Sequence, residues 1–478
     1  MTDNKFSNLN IDQILAGFKN KTFSSFELAS YYLARIKNDK LNAFISVNEH
    51  VLEEAKQADQ KIAQGEMALL TGVPIAIKDI LLVKGQRATG ASKMLANYIA
   101  PYTATAVKRL EDQGAIILGK TNCDEFAMGS SNENSAFGPV LNPHDITRVP
   151  GGSSGGSAVA VAADLAPIAL GTDTAGSSRQ PASFCGLVGL KPSYGRVSRY
   201  GSMAMASSLD QIGPMAKSVK DAAYLLQVIA GKDKYDLSAS YNTVPDYLNL
   251  LKTQDPHKLK VGLPKEYFSD ALAPSIKQAL DKTIDFLHEQ NIVVEKVSLP
   301  YTEYALATYY ILMPAELSSN LARFDGLRFG HHESNDLNLD DWYKKVRATG
   351  FSAESKRRIM LGTYILSAGY YDAYYKQAQK LRTVIKQDFQ KVFTKVDVLL
   401  TPTTPTTAFK LDEKLSDPLS MYLADIFTVS ANIAGICGLN LPMGVDENKL
   451  PIGIQLLADA FQEEKLFVLG NFIEQNII

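Results

Sequence analysis

The sequence predicts an α/β protein organised as one large domain. Short apolar segments bounded by turn residues alternate with longer segments whose apolar residues recur every three or four positions, which is typical of strands and helices in alternation. Between residues 148 and 215 the chain becomes unusually rich in glycine, serine and threonine. No internal repeat or low-complexity linker divides the sequence, and we predict one domain over residues 1–478 with a catalytic core at about 70–215.

The predicted elements follow one another closely. Ser24 and Glu27 have the spacing of a capping box, which predicts the start of a helix. The apolar run 73–77 predicts a buried strand that ends at Lys78, whereas the polar segment 232–258 predicts a surface loop or a weak boundary. The other predictions are helices at 103–113, 156–165, 218–231 and 275–290, and strands at 115–118, 167–170, 260–263, 292–297, 396–400 and 452–457.

Composition argues against several classes of function. Lysine and arginine number 49 against 51 acidic residues, a net charge of −2, so charge gives no case for the whole chain wrapping a nucleic acid. The three cysteines, at 123, 185 and 437, lack the spacing of a zinc site or a disulfide framework. The amino terminus is polar and no apolar run reaches about 18 residues, so we expect no metal, no membrane contact and a cytoplasmic protein.

Two glycine–serine turns are the candidate chemical site. Residues 150–157 read PGGSSGGS and residues 171–181 read GTDTAGSSRQP, and each precedes a predicted helix. Such clusters are often only flexible loops. Neither turn carries the lysine of a nucleotide-binding P-loop. The first turn fits G-x-S-x-G, but the proline-containing segment before it predicts no strand, so a nucleophile elbow is disfavoured.

A serine nucleophile needs a base, and the sequence offers no obvious histidine for that role. The six histidines, at 50, 144, 257, 288, 331 and 332, all lie outside the glycine–serine motifs. Another group should therefore accept the proton.

Three motifs together resemble the amidase-signature family: VPIAIKD, GGSSGGSA and TDTAGSSRQP, in that order. By motif position the resemblance implies Ser177 as the nucleophile, Ser153 (after an unusual cis peptide bond) as the proton relay and Lys78 as the base. It also implies the fold of that family, a single large mixed β-sheet covered by helices on both faces.

The implied chemistry makes demands on each residue. A lysine acts as a base only when it is neutral, so the pKa of Lys78 should fall by about three units from its reference value of about 10.4. The oxyanion of the tetrahedral intermediate needs backbone N–H donors, which the turn of Thr174, Ala175, Gly176 and Ser177 can supply.

The turn departs from the family pattern T-G-G-S-I at two positions. Ala175 replaces a glycine, which is tolerable unless the residue has a positive φ. Ser178 replaces a hydrophobic residue and puts a polar group where packing is expected. It is also a rival nucleophile, although the spacing to Gly176 favours Ser177. We expect reduced activity at most.

Longer segments narrow the resemblance to the glutamine-hydrolysing subunits of bacterial tRNA-dependent amidotransferases; they include KTNCDEFAMGSSNENSAFGPVLNP, KPSYGRVSRYGSMAMASSLDQIGP, KRRIMLGTYILSAGYYDAYYKQAQ and DPLSMYLADIFTVSANIAG. That resemblance implies two partner subunits, a tRNA-binding subunit that uses ATP and magnesium and a small third subunit. The ammonia passes to the tRNA-binding subunit, which amidates glutamate on tRNA(Gln). This chain itself is expected to need no cofactor and to leave most tRNA contact to its partner.

The same resemblance implies a pocket for glutamine. By motif position, Arg358 binds the substrate carboxylate, Asp425 binds its ammonium group and Tyr309 lines the pocket. Without the resemblance, Arg358 fits a solvated helix face and Tyr309 a core position. Two alternatives to a glutaminase subunit stay open: a stand-alone amidase for another small amide, and an inactive scaffold.

Overall fold

Eleven strands and sixteen α-helices make up the computed structural model, which describes residues 5–332, 337–415 and 417–478. The strands are β1 (Phe44–Val47), β2 (Pro74–Lys78), β3 (Ile116–Thr121), β4 (Ile168–Asp173), β5 (Val188–Lys191), β6 (Gln211–Ala216), β7 (Val261–Pro264), β8 (Val294–Val297), β9 (Val398–Pro402), β10 (Cys437–Val445) and β11 (Pro451–Ala458).

The helices surround these strands. They are α1 (Ile11–Lys19), α2 (Ser25–Lys37), α3 (Val51–Gln64), α4 (Thr105–Asp112), α5 (Gly155–Ala162), α6 (Arg179–Cys185), α7 (Val219–Ile229), α8 (Tyr247–Thr253), α9 (Pro274–Glu289), α10 (Ala305–Asn320), α11 (Leu339–Gly350), α12 (Ala353–Leu366), α13 (Lys376–Phe393), α14 (Pro418–Tyr422), α15 (Val429–Ala434) and α16 (Glu463–Ile477). No helix among the described residues is both long enough and apolar enough to cross a membrane.

All eleven strands join one mixed sheet, in the order β1-β3-β2-β4-β6-β5-β10-β11-β9-β7-β8. β3, β2 and β4 are parallel, as are β9, β7 and β8, and the strands between β4 and β9 pair antiparallel. Strands from the two halves of the chain meet where β5 pairs with β10. The predicted single mixed sheet is therefore confirmed.

Helices cover both faces of the sheet. Every residue of β2, β4, β6 and β11 is buried, although successive side chains of a strand point to opposite faces. At β10 the covering helices can be identified. A Cβ at Gly438 would lie 3.4 Å from Arg179 of α6, whereas the side chain of the next residue, Leu439, lies 2.9 Å from a Cβ built on Gly470 of α16.

Each predicted strand and helix lies within a few residues of an observed one, but helices α1, α3, α8 and α10 to α16 were not predicted. Ser24 and Glu27 form both hydrogen bonds of the predicted capping box at α2. The segment 232–258 is less simple than the predicted loop, because it contains α8, whose Tyr247 is fully buried. Strands β1, β5, β6 and β10 were not predicted.

The topology also sets the position of the candidate site. β2 and β4 are parallel neighbours, so their carboxyl ends lie at the same edge of the sheet. β2 ends at Lys78, and β4 ends at Asp173, just before the turn that carries Ser177.

Candidate active site

Lys78 is fully buried and is surrounded by hydroxyl groups. Its Nζ lies 2.8 Å from Ser153 Oγ, 2.9 Å from Ser154 Oγ and 2.8 Å from Thr172 Oγ1. Thr172 belongs to the neighbouring strand β4, and the two serines lie at the start of α5. The structure thus brings together two of the three residues that the motifs singled out.

A count of hydrogen-bond donors shows which hydroxyl groups can donate to Lys78 when its amine is neutral. A neutral amine donates only two hydrogens, so one of its three neighbours must donate to the amine instead. Ser154 already donates its own hydrogen to the carbonyl of Thr172, at 3.1 Å. The donor to the amine is therefore Ser153 or Thr172. Ser153 is the one next to the nucleophile turn. The backbone N–H of the following residue, Ser154, donates to the carbonyl of Ser177 at 3.2 Å.

Burial shifts the proton affinity of this lysine. Burial lowers the pKa of Lys78 to about 8, and the nearby carboxyl groups of Asp124, Asp173 and Asp210 limit the fall. This shift is smaller than the three units expected from the sequence. The amine is therefore mostly protonated at pH 7 and mostly neutral above pH 8.

The backbone around Ser153 is held by one side chain and by the backbone of a neighbouring loop. The peptide bond between Gly152 and Ser153 is cis. Gly152 N–H donates to Gln180 Oε1 at 2.9 Å, and the backbone N–H of Asp124 donates to the carbonyl of Ser153 at 3.3 Å. A side chain at Gly152 would not fit, because its Cβ would lie 2.2 Å from Asp124 Oδ2.

Ser177 lies at the end of the turn that leads into α6, and it is 8% exposed, whereas Ser178 is fully buried. Only the first of these two adjacent serines can meet a substrate without rearrangement. Among the described residues no hydrogen bond involves Ser177 Oγ, and the side-chain contact of Ser153 Oγ is with Lys78 Nζ. The relay between the two hydroxyls therefore stays a prediction. Catalytic hydrogen bonds often tighten only when substrate binds.

The turn before Ser177 has unpaired backbone donors. In the described part of the chain, the backbone N–H groups of residues 174–177 have no acceptor. Ala175 does not adopt a positive φ, so its replacement of glycine introduces no backbone strain. Gly176 has φ 144°, and a Cβ there would lie 2.3 Å from Thr428 Oγ1. These donors fit the oxyanion role that the resemblance implied.

Ser178 has an unsatisfied hydroxyl. The side chain is fully buried, and its Oγ has no hydrogen-bond partner among the described residues. An unpaired buried hydroxyl destabilises a fold, because it gives up its bonds to water without replacement.

We therefore expect Ser178→Ala to stabilise the protein by about 1 kcal/mol, measured as a higher midpoint of urea unfolding. Ser157→Ala is the matched control, since the Ser157 hydroxyl is buried but donates to the carbonyl of Leu170 at 3.0 Å. That control should lose stability. Destabilisation by Ser178→Ala would contradict the assignment of an orphaned hydroxyl.

A buried ion-pair network beneath the nucleophile turn was not predicted from the sequence. Arg179 Nη2 lies 3.0 Å from Asp173 Oδ1 and 2.7 Å from Asn432 Oδ1, and Arg179 Nη1 lies 3.0 Å from Gln455 Oε1. Burial alone would raise the pKa of Asp173, but the Arg179 guanidinium outweighs it and lowers that pKa to about 2. The sequence did contain a signal for this ion pair, because Asp173 and Arg179 carry opposite charges and lie on either side of the glycine–serine turn.

The predicted glutamine pocket combines charged and aromatic groups. The Arg358 guanidinium on α12 lies 5.8 Å from the ring centre of Tyr310 and 5.6 Å from that of Tyr422. Arg358 Nε donates to Glu354 Oε1 at 2.7 Å, and its two terminal nitrogens donate no hydrogen bond within the described ranges. Tyr309 is buried, with its ring centre 5.0 Å from that of Tyr310.

Asp425 lies in the same region and is connected to the nucleophile turn. Its Oδ2 accepts a hydrogen bond from Ser130 Oγ at 2.5 Å. Thr428 Oγ1 lies 2.5 Å from the carbonyl of Ala175 and 3.1 Å from that of Asp425, so one hydroxyl joins the two parts of the site. Burial raises the pKa of Asp425 to about 7. The charge of this carboxylate therefore depends on pH in the neutral range.

Taken together, the site has a buried lysine among serine and threonine hydroxyls, a serine that keeps 8% exposure beside free backbone N–H groups, and one buried arginine and one buried carboxyl group nearby. This arrangement suits acyl transfer from a small zwitterionic amide. No group of three or more histidine, cysteine, aspartate or glutamate side chains in the described ranges is arranged to hold a metal ion.

Comparison with known proteins gives consistent matches. A family model described as Amidase matches residues 27–467. The A subunit of glutamyl-tRNA(Gln) amidotransferase from Carboxydothermus hydrogenoformans is 54% identical over 472 residues, which is 98% of this chain and 97% of the relative. The protein of that name from Coxiella burnetii is 53% identical over 468 residues, which is 97% of this chain and 96% of the relative.

A solved structure matches as well. The crystal structure of the protein of that name from Thermotoga maritima superposes with a TM-score of 0.83 at 40% sequence identity. The match covers 100% of this chain and 96% of that one.

Proposed function

The chain belongs to the amidase family, and on that premise we propose that it is the glutamine-hydrolysing subunit of a tRNA-dependent amidotransferase. The observation that carries the proposal is the buried Lys78–Ser153 contact, and the buried side chains of Arg358 and Asp425 support glutamine as the amide that is hydrolysed. The first pair supplies amide hydrolysis, and the second supplies opposite charges for the two charged groups of glutamine.

The proposed reaction has two chemical steps. Ser177 Oγ attacks the side-chain carbonyl of glutamine while its proton passes through Ser153 to neutral Lys78. The backbone N–H groups of residues 174–177 stabilise the oxyanion, the C–N bond breaks, and the proton returns to the leaving nitrogen as ammonia departs. Water then attacks the γ-glutamyl ester on Ser177, which releases glutamate and restores the serine hydroxyl.

The rest of the assembly belongs to the same proposal; the relatives' names support a subunit of a tRNA(Gln) amidotransferase, and the other parts follow from the family resemblance. Ammonia passes to a partner subunit that binds tRNA and uses ATP and magnesium to convert Glu-tRNA(Gln) to Gln-tRNA(Gln), and a small third subunit completes a heterotrimer. This chain works in the cytoplasm as one catalytic domain over residues 1–478. Its net charge of −2 suits a subunit that leaves most tRNA contact to its partner.

Trapping of the acyl-enzyme tests the proposal directly. The full-length chain, in the assembly in which it purifies, should convert glutamine and hydroxylamine into γ-glutamyl hydroxamate. A preference for simple aliphatic amides over glutamine would instead support a stand-alone amidase. Absence of acyl transfer from every amide would support an inactive scaffold.

Arg358→Ala should raise the KM for glutamine by roughly 10- to 100-fold, which is the loss expected for one charge-assisted hydrogen-bonded pair. The fold should survive, because Glu354 keeps its second ion-pair partner, Arg357. Steady-state kinetics with glutamine and with a small amide that lacks a carboxylate give the measurement. Similar losses on both substrates would contradict the role of Arg358 in binding the carboxylate.

A further inference from the structure

The loop of residues 124–130, which follows strand β3, contacts three separate parts of the active site. We propose that Glu125 in this 124–130 loop is a positioning residue for glutamine: it fixes the first turn of α12 and thereby the direction of Arg358. The inference rests on the proposed glutaminase function, since it concerns the binding of the glutamine carboxylate.

Glu125 is a buried carboxylate at the amino-terminal end of α12. It is 2% exposed, and its Oε2 accepts hydrogen bonds from the backbone N–H of Ser352, at 2.9 Å, and from the hydroxyl of Ser355. Ser352 is the N-cap of α12. The other oxygen of Glu125, Oε1, accepts a hydrogen bond from Ser92 Oγ at 2.5 Å. In the described structure no lysine or arginine forms an ion pair with Glu125, so these donors and the helix end stabilise the carboxylate.

The hydrogen bond between Glu125 and Ser355 connects Glu125 to the helix face that carries Arg358. Residues three apart lie on the same face of an α-helix, so a restraint on Ser355 also restrains the face that carries Arg358. Both side chains are buried, at 0% and 4% exposure. A rotation or shift of this first turn would move the guanidinium away from the rings of Tyr310 and Tyr422.

The residue after Glu125 strengthens the same contact. Phe126 has φ 48° and Ala127 has φ 65°, a backbone conformation that costs energy for a bulky residue and persists only where packing enforces it. The Phe126 ring lies 5.8 Å from that of Phe351, the residue directly before the N-cap of α12, and 5.0 Å from that of Phe324. Packing and hydrogen bonds thus anchor the loop at the same helix end.

The two ends of the 124–130 loop contact the remainder of the site. At one end the backbone N–H of Asp124 donates to the carbonyl of Ser153, and at the other end Ser130 Oγ donates to Asp425 Oδ2. One loop of seven residues therefore contacts Ser153, Asp425 and the helix end that carries Arg358. This arrangement gives Glu125 a role in binding glutamine that the sequence motifs do not indicate.

Substitution of Glu125 provides the test, in the full-length chain and its natural assembly. Glu125→Ala should raise the glutamine KM at least tenfold and leave kcat within about threefold, because Ser177, Ser153 and Lys78 are untouched. Glu125→Gln should restore nearly normal KM. The amide oxygen can accept from Ser352 and Ser355, and its NH₂ group can donate to the Ser92 hydroxyl. That hydroxyl lies 3.3 Å from the carbonyl of Gly350 and can donate there instead.

Two further variants separate positioning from general destabilisation. Ser218→Ala removes the N-cap hydrogen bond of the remote helix α7 and should leave KM unchanged. In an Arg358→Ala background, Glu125→Ala should add little further increase in KM, because both changes remove the same contact with substrate. If Glu125→Ala does not fold, Ser355→Ala replaces it, with an expected increase of a few fold in KM alone.

The outcomes distinguish this inference from the proposed function. If the wild-type assembly forms no γ-glutamyl hydroxamate, the proposed function fails. If the wild type forms it but KM is unchanged in Glu125→Ala or Ser355→Ala, or if the effects of Glu125→Ala and Arg358→Ala simply multiply, the positioning role of Glu125 is wrong.

Discussion

Replacing Ser177 by alanine is expected to reduce glutaminase turnover by at least about 10⁴-fold, because loss of a nucleophile leaves only the background catalysis of the oxyanion donors and of binding. The γ-glutamyl ester should also disappear from hydroxylamine trapping and from mass spectra of the intact chain. The fold should be unaffected, since the Ser177 side chain keeps 8% exposure and its hydroxyl forms no hydrogen bond within the described part of the chain.

The neighbouring serine supplies the matched control. Ser178→Ala removes a hydroxyl one residue away that is fully buried, and it should trap the ester at a rate close to that of the wild type. Trapping that survives in Ser177→Ala but is lost in Ser178→Ala would transfer the nucleophile role to Ser178. Equal trapping in wild type and Ser177→Ala would exclude Ser177.

Lys78→Met should abolish glutaminase activity, because methionine fills a similar volume without an amine that can accept the proton. Circular dichroism and urea unfolding should show a folded protein, since the change also removes the cost of burying a charge. The loss of activity should persist at every pH between 6 and 9. Turnover close to that of the wild type at neutral pH would exclude lysine as the base.

The pH dependence of the wild type follows from the same lysine. The active form is the neutral amine, and the pKa of Lys78 is lowered by burial to about 8. Below that pH the neutral fraction of Lys78 falls tenfold per pH unit, so kcat should rise with a slope of one up to about pH 8 and then level off. The value of kcat/KM should fall more steeply below about pH 7, where Asp425 also gains a proton. A flat profile from pH 6 to 9 would contradict the assignment.

Local sequence patterns predicted the parts of the fold that depend on local spacing. The apolar run before Lys78 predicted strand β2, and β2 does end at that residue. Ser24 and Glu27 predicted a helix start through two hydrogen bonds that span three residues. Such patterns can be recognised in a sequence because the interacting residues lie within a few positions of one another.

Strands β6 and β10 escaped prediction because each contains a proline, which usually argues against a central strand. The sheet accommodates both. Strand β5 lies between β6 and β10. It pairs with only Met215 and Ala216 of β6, and with only residues 438–440 of β10. Pro214 and Pro442 therefore lie beyond the paired segment of β5, where no backbone donor is needed on that side.

The amino-acid sequence was enough to identify the family and to predict Lys78, Ser153 and Ser177 as the catalytic residues, because each belongs to a short motif that can be recognised from its neighbours in the chain. Tertiary structure alone decided which hydroxyls surround Lys78, how far its pKa falls and what holds Arg358. Those properties depend on distances and burial among residues that lie tens to hundreds of positions apart, and only the packing of the sheet and its helices sets them.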